Sequence, residues 1–400
     1  MEVTHFFRNY SYKDFGGVES HIFFLCSSLR GRVAFRILSD KRFPDEKEHE
    51  FGREAEVFRV VPQRVSSTSG KVWDVLFNEP HREKNRLNIL EKTSFDVLHV
   101  HGPVSYSNTV IAGSLFLPLY GMQAWTRVEK PVIFTFHGLP EVVLKNKYSY
   151  PPFYPFFDLW KKIEKKNIEK SEKVICVDKY VIEELKNRED IESEKLVYIP
   201  NGIDLEKFKP VKKSESIRKL NEKSNLKLDE NALVFSFINR LSKEKGIDSI
   251  TRLAERLNGE FKFMIVGSGV LEKEVELLCK KDGRFLHIPH VETSLVPLVL
   301  NASDFIVSPF RHPGSTRTNI EAIACGKPVI TTAIGDRYPA VDGKTAFIYS
   351  KPDELRKILQ EIIDGARSIR NAERNCASVI RNFDLRIVSA NVLKVYEEVI

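Results

Sequence analysis

SPFRHPGSTRTNIEAIACGKPVI, residues 308–330, reads as the hinge of a strand–helix–strand unit. An apolar run, Phe305–Ser308, ends where it begins, and a second run, Val329–Thr332, starts where it ends. Between them lie a Gly-Ser-Thr loop, a short helical pattern, and Gly326 with Pro328 as a stop signal. Ser315, Thr316 and Thr318 cluster at the helix start, where free backbone N–H groups and the helix dipole favour an anion. Glu321 has two readings that local sequence leaves open. Thr318-x-x-Glu321 fits a capping box, and the same carboxylate fits a ligand contact.

The same alternation runs outward in both directions. Glu2–Phe7, Val33–Ser39, Val57–Val61, Val97–Val100, Val132–Thr135, Val174–Val177 and Leu196–Ile199 read as strands before Pro200. Leu233–Ile238, Phe261–Val266, Phe285–Ile288 and Ala346–Ile348 continue the pattern after it. Strands alternating with helices imply parallel sheets covered on both faces. The class is α/β, with two doubly wound, Rossmann-like domains expected to face each other across a cleft. The polar stretch Val211–Asn231 is a composition shift and a candidate boundary. The division is placed at 1–205 and 206–384, with a helix at about 385–400 packing back on the first domain. Ligands in such sheets bind beyond the carboxyl ends of the strands.

Composition narrows the function. The 400 residues are 42% hydrophobic and 29% charged, a globular balance. A net charge of +7, spread over both halves, excludes a dedicated nucleic-acid stripe. Five scattered cysteines without Cys-x-x-Cys argue against a disulfide framework or zinc site, and make a reducing cytoplasm the default. No metal-ligand spacing is visible. Few glutamines beside abundant Lys and Glu lean towards a thermophilic source. The charge-free stretch 102–126 contains Pro103 and Pro118 and reads as a buried helix with a break, not a membrane span.

Five loops carry candidate chemistry. Gly16-Gly17 precedes the helical pattern Val18–Leu29 and fits either an ordinary tight turn or the close approach of a phosphate. FMIVGSGV, 263–270, is a strand entering Gly267-x-Gly269, a weak phosphate-loop signal because position 272 is Glu. NRLSKEKGID, 239–248, places Arg240 and Lys245 in one short loop, suited to a diphosphate or simply solvated. HVHG (99–102) and TFHG (135–138) deliver His101 and His137 to the carboxyl edge of the first sheet, each either a satisfied core or loop histidine or a site residue, with His137 the stronger candidate because the charge-free run Val132–Phe136 leads into it.

These segments, in this order, resemble retaining glycosyltransferase family four, of the GT-B fold, nearly end to end. GGVESH (16–21), DVLHVHG (96–102), TFHG (135–138) and EKVICVDKYVIEEL (172–185) resemble its N-terminal landmarks. IPNGIDLEKF (199–208), NRLSKEKGID, SDFIVSP (303–309) and IEAIACGKPVI (320–330) resemble its junction and C-terminal landmarks, with Asn239 where glycine is usual.

The resemblance implies a nucleotide diphosphate sugar as co-substrate, with no cofactor and no metal. It implies that Arg240 and Lys245 hold the diphosphate, Glu321 the ribose hydroxyls, and the backbone from Gly314 through Ser315, Thr316 and Arg317 to Thr318 the sugar-side phosphate. Gly17 would line the diphosphate from the other domain, Gly267 would belong to the donor side, and His137 would sit near the reacting carbon. The neighbourhood of His290 and Val291 would read the nucleobase. Pro313 departs from the pattern, since a glutamate usually stands there to contact the sugar. Proline offers neither a hydrogen-bonding side chain nor an N–H, so Arg311, His312 or Arg317 would have to take over, or the chemistry is impaired. The second case would make the chain a non-catalytic sugar-nucleotide-binding partner subunit.

The acceptor side is expected to involve Gly16, His101 and the aromatic stretch YSYPPFYPFFDLW (148–160), with Tyr154, Phe157 and Trp160, followed by KKIEKK. Aromatics beside lysines suit a membrane interface, so a peripheral contact through 148–166 and a glycan or lipid-linked acceptor are one reading. A packed layer or lid is the other. The location is expected to be cytoplasmic, at the inner face of a membrane in the first case.

Overall fold

A computed structural model of the protein describes all residues except 8–9, 13–15, 42, 53, 61–83, 103–126, 140–153, 189–190, 224–225 and 315, and the side chains of 154–160 and 163. The proposed helix over 102–126 therefore lies outside the described residues, apart from Gly102. Two compact units form, Met1–Gly202 with Leu385–Ile400, and Ile203–Asp384.

The first unit holds strands β1 (Glu2–Phe6), β2 (Ala34–Asp40), β3 (His49–Phe51), β4 (Glu56–Val60), β5 (Val97–Gly102), β6 (Val132–Phe136), β7 (Lys173–Cys176) and β8 (Leu196–Tyr198). Their order is β3-β4-β2-β1-β5-β6-β7-β8, parallel except for the short β3 edge strand. Every residue of β5 and β6 is buried, as expected of strands covered on both faces. The second unit holds β9 (Val234–Ile238), β10 (Lys262–Val266), β11 (Phe285–Ile288), β12 (Phe305–Ser308), β13 (Val329–Thr332) and β14 (Ala346–Tyr349). All its pairings are parallel, in the order β11-β10-β9-β12-β13-β14.

Each sheet reverses its winding once. In the first unit the chain order runs outward in both directions from β1 and β5. In the second it does so from β9 and β12. The crevice beyond the carboxyl ends of such a strand pair is where doubly wound sheets bind ligands.

Four helices matter below: α1 (Gly17–Ser28), α2 (Tyr154–Lys170), α3 (Arg317–Ala324) and α4 (Leu385–Val399). Val388, Val392, Val395 and Tyr396 of α4 join the core of the first unit beside Val3, Ile22 and Ile133. The polar stretch at 211–231 is not a bare connector. Lys213–Lys223 is a helix of the second unit, with Ile217 and Leu220 buried against Val299 and Ala302. Two large apolar residues, three positions apart, were enough to anchor a helix whose other faces are charged.

Candidate active site

The loops leaving β9 and β12 are locked together. Asn239 Nδ2 donates to Thr318 Oγ1 at 3.3 Å, and Thr318 Oγ1 donates to the Ile238 carbonyl at 3.1 Å. Gly246 has φ +81°, and a Cβ there would stand 2.1 Å from the Pro309 carbonyl oxygen, so only glycine lets the loops touch. Arg311 ties the contact from the other side. Its backbone N–H reaches the Glu244 carbonyl at 3.1 Å, and its guanidinium reaches the Lys243 carbonyl, Ser249 Oγ and Asp248 Oδ2 at 2.9, 3.0 and 2.8 Å. Arg311 is thus committed to the loop's shape, which removes it as a holder of the sugar in place of the missing glutamate.

Within this frame Arg240 projects, more than half exposed, 3.6 Å from Glu244. Lys245 lies with its Nζ 4.2 Å from the centre of the Phe310 ring. Burial pulls the Lys245 ammonium down to about 8, against the opposing pull of Glu244. On the same ring, 5.6 Å away, sits the buried guanidinium of Arg337. Arg337 donates to the carbonyls of Phe310, Gly314 and Thr332 and to Thr332 Oγ1. It thereby shapes the whole segment 310–314. Pro313 packs on Gly335, where a Cβ would fall 2.6 Å from the proline's own Cβ. Nothing in the linear pattern marked Arg337, which lies beyond β13 and reaches back across the sheet edge.

Helix α3 starts at Arg317, with Thr316 as its cap: Thr316 Oγ1 accepts from the Asn319 N–H at 3.2 Å. The Thr318–Glu321 capping box is therefore not formed, because Thr318 already lies inside the first turn and bonds to β9. Glu321 instead accepts from Arg317 Nε at 2.8 Å. Its carboxyl is raised by burial, with Arg317 and Lys207 pulling the other way. Lys207, from the junction segment, is the third charged member of this group, its own ammonium lowered by burial. Gly314 has φ +96° and Ser315 lies outside the described residues. Arg317 and Thr318, in the first turn, have N–H groups with no helical carbonyl to bond.

Gly267 departs from expectation. Its N–H donates to the Ile288 carbonyl at 2.9 Å and its carbonyl meets His287 Nε2 at 2.9 Å, so no backbone donor remains for a phosphate. A Cβ on it would stand 2.1 Å from the Asn239 carbonyl oxygen, so this glycine serves loop packing. His290 is exposed and Val291 half-buried, just beyond β11.

In the first unit, five histidines meet at the β1/β5 switch point. His5 and His99 are direct register partners on β1 and β5. His101 follows on the same face of β5, His137 follows β6, and His21 comes from α1. His5 Nδ1 lies 2.7 Å from His101 Nε2, and His101 Nδ1 lies 3.1 Å from His137 Nε2. His99 is held by Tyr396 Oη at 2.7 Å and Thr135 Oγ1 at 2.6 Å. Burial lowers His5 to about 3 and drops His99, His101 and His137 well below the usual imidazole range, so all four are neutral at physiological pH. His137, the half-buried one, reaches the edge of the cluster. Gly16 precedes α1 and Gly17 opens it, with nothing within 4 Å of a Cβ placed on Gly17. The backbone of Tyr154, Phe157 and Trp160 is helical, while their side chains lie outside the described residues.

Two family profiles match the chain in tandem. Glycosyltransferase Family 4 covers residues 15–207, and Glycosyl transferases group 1 covers residues 218–378. The chain belongs to glycosyltransferase family 4. An uncharacterized glycosyltransferase of Methanocaldococcus jannaschii is 24% identical over 81% of this chain and 85% of its own. The UDP-Gal:alpha-D-GlcNAc-diphosphoundecaprenol alpha-1,3-galactosyltransferase of Escherichia coli is 27% identical over 62% of this chain and 60% of its own. Among solved structures, sucrose-phosphate synthase from Thermosynechococcus elongatus superposes with a TM-score of 0.78 over 99% of this chain and 98% of that one, at 17% identity. The fold of this glycosyltransferase is GT-B. Among the described residues no helix is long and apolar enough to cross a membrane.

Proposed function

We propose that this family 4 enzyme transfers a sugar from a nucleotide diphosphate sugar to a glycan or lipid-linked acceptor, with retention of the anomeric configuration. The observation that carries the reading is the clustering of Arg240, Lys245, Glu321 and the α3 N-terminus at the β9/β12 switch point. As the glycosidic bond breaks, negative charge builds on the departing diphosphate. Cations and the positive end of the α3 helix dipole meet that charge without reorganising. Glu321, steadied by Arg317, is assigned to the ribose hydroxyls.

Retention is supported by how the local carboxylates are used. Glu244, Asp248 and Glu321 are each drawn to a guanidinium, Arg240, Arg311 with Arg252, and Arg317 respectively. None of these three is placed as a free general base, which favours the leaving phosphate taking the acceptor proton on the same face. A neutral imidazole such as that of His137 can accept or donate beside an oxocarbenium-like sugar without repelling it. The diphosphoundecaprenol in the Escherichia coli relative's name supports a lipid-linked acceptor. The exposed Lys161, Lys162 and Lys166 of α2 support contact with an anionic membrane surface through 148–166.

Pro313 favours a second reading, a non-catalytic sugar-nucleotide-binding partner subunit. Purified protein incubated with a panel of nucleotide diphosphate sugars separates the two. A rise in melting temperature with transfer or donor hydrolysis supports the enzyme, and a rise without either supports the binder. Product of inverted configuration, read by NMR of the anomeric proton, would sink retention. Liposome co-sedimentation unchanged by aromatic-to-serine substitutions at 148–160 would sink the membrane contact.

A further inference from the structure

Three consecutive residues beyond β1 are pinned by two carboxylates from the segment that carries β3. Tyr10 Oη and Tyr12 Oη both donate to Glu54 Oε1, each at 2.6 Å, and Ser11 Oγ donates to Glu46 Oε1. Tyr10, Ser11, Glu46 and Glu54 are buried. We propose that Glu54 is a positioning residue of this enzyme. Through Tyr10 and Tyr12 it fixes where the chain enters Gly16-Gly17 and helix α1, and so sets what the first unit presents to the reacting sugar. The inference rests on the transfer reaction proposed above, and in it Glu54 touches neither donor nor acceptor.

The attachment admits one conformation. Tyr10 is held at each of its polar groups: Oη by Glu54, the carbonyl by Ser39 Oγ at 3.2 Å, and the N–H by the Phe7 carbonyl at 3.3 Å. Its ring lies in the same core as Ile22, Leu25 and Cys26 of α1, so a shift of Tyr10 is felt by the helix. Tyr12 packs edge-on against Tyr10, with ring centroids 5.5 Å apart. Its phenol reaches Glu54 because position 52 is glycine, where a Cβ would stand 2.0 Å from Tyr12 Oη. Glu46 is held in turn by the Phe43 N–H at 2.9 Å and faces the buried guanidinium of Arg59 at 3.8 Å. Four positions separate Tyr12 from Gly16, at most about 14 Å of chain. With Tyr12 held on one side and α1 packed on the other, Gly16 has a short range to occupy. Stability alone does not account for Glu54. Its Oε1 serves two phenols, while its Oε2 is buried with no hydrogen-bond partner among the described residues. A carboxylate used so one-sidedly carries a desolvation penalty that an apolar side chain of similar volume would avoid. Burial, reinforced by Glu54, raises both phenols, so they remain donors at working pH.

Two measurements on the full chain test the assignment. Hydrogen exchange is read without donor or acceptor, so it is independent of the proposed reaction. The Ser20 N–H bonds to the Gly16 carbonyl at the start of α1, and the Leu29 N–H to the Leu25 carbonyl at its far end, both at 3.1 Å. Glu54→Ala should speed exchange at Ser20 roughly tenfold or more and leave Leu29 unchanged. Tyr12→Phe, which removes one hydrogen bond and keeps the ring, should do the same more weakly, and it carries the test if Glu54→Ala does not fold. Glu54→Gln, whose amide oxygen still accepts from both phenols, should match the parent. Equal acceleration at both amides, or none at Ser20, would overturn the proposal. Turnover is then read with a donor that the parent accepts, below the melting temperature of every variant. In Glu54→Ala kcat should fall roughly 10–100-fold with donor affinity little changed, because Arg240, Lys245 and Glu321 belong to the second unit, and Glu54→Gln should recover the parent value. A parent that turns over no donor would overturn the transfer reading and this role with it. An active parent whose kcat is unmoved in Glu54→Ala would overturn the role alone.

Discussion

At the β9/β12 edge the second unit gathers Arg240, Lys245, Arg317 and a helix N-terminus, all positive. At the β1/β5 edge the first unit gathers His5, His21, His99, His101 and His137, four of them neutral through burial. The topology of the two edges is the same, yet the electrostatics differ. The second edge suits a bound dianion. The first, lined by neutral imidazoles, suits a polar neighbour such as a sugar ring, including one that gains positive character and that fixed cations would repel. A shared fold thus fixes where chemistry can sit, while a handful of side chains decide which kind.

The contrast can be broken at either edge. Acid should break the first. The histidines have folded-state values below their unfolded value of about 6.5, so the unfolded chain binds more protons as pH falls below that point. Stability should drop by up to about 1.4 kcal/mol per pH unit for each titrating histidine, with the first unit losing structure before the second. Hydrogen exchange at pH 5 and pH 7.5 would resolve the two units, and equal protection loss in both would refute it.

Charge removal should break the second edge next most strongly. Lys245→Ala and Glu321→Ala should each lower kcat/KM roughly 10²–10³-fold, with folding intact by circular dichroism. Arg337→Ala strips several buried carbonyls of their donor and should cost about 3 kcal/mol in urea unfolding. A midpoint within error of the parent would show that the Phe310–Gly314 segment holds itself. Lys245 also gives the second edge a pH limit on the alkaline side. Its ammonium, lowered to about 8, is lost as pH rises through that value, so donor affinity should fall up to tenfold per unit above it. Lys245→Arg should remove that fall. The smallest effect is expected of Arg317→Ala, a several-fold rise in donor KM, because Lys207 still faces Glu321. Unchanged donor affinity and turnover would discard any donor role for Arg317.

How much of this was legible depended on distance along the chain. Thirteen apolar runs marked strands and the structure has strands at each, because a buried parallel strand is a local, continuous signal. The antiparallel β3 was missed, being three residues of an exposed edge. The helix at Lys213–Lys223 hid because only a few of its residues face the core. At the candidate site, Arg240, Lys245 and Glu321 were visible in short motifs. Lys207 and Arg337 were not, because Lys207 acts on Glu321, and Arg337 on Phe310 and Gly314, across more than 20 positions. The histidine cluster is the clearest case. His99 and His101 at alternate positions place two imidazoles on one face of β5, a signal present in the linear chain. That His5 would pair with His99 required the β1/β5 register, which no local pattern specifies.

The return of α4 has a consequence for how the protein is made. Gly202 and Leu385 touch, since a Cβ on Gly202 would lie 3.1 Å from the Leu385 Cα, and Ile203 N–H bonds to the Phe383 carbonyl at 2.7 Å. The second unit is therefore an insertion whose two ends leave the first unit side by side. On the ribosome, residues 1–202 emerge first but lack Val388, Val392, Val395 and Tyr396 of their own core. The inserted unit has its whole core by residue 384 and can close first, during translation. The earlier-synthesised unit stays incomplete until the later one is finished, so maturation runs opposite to synthesis.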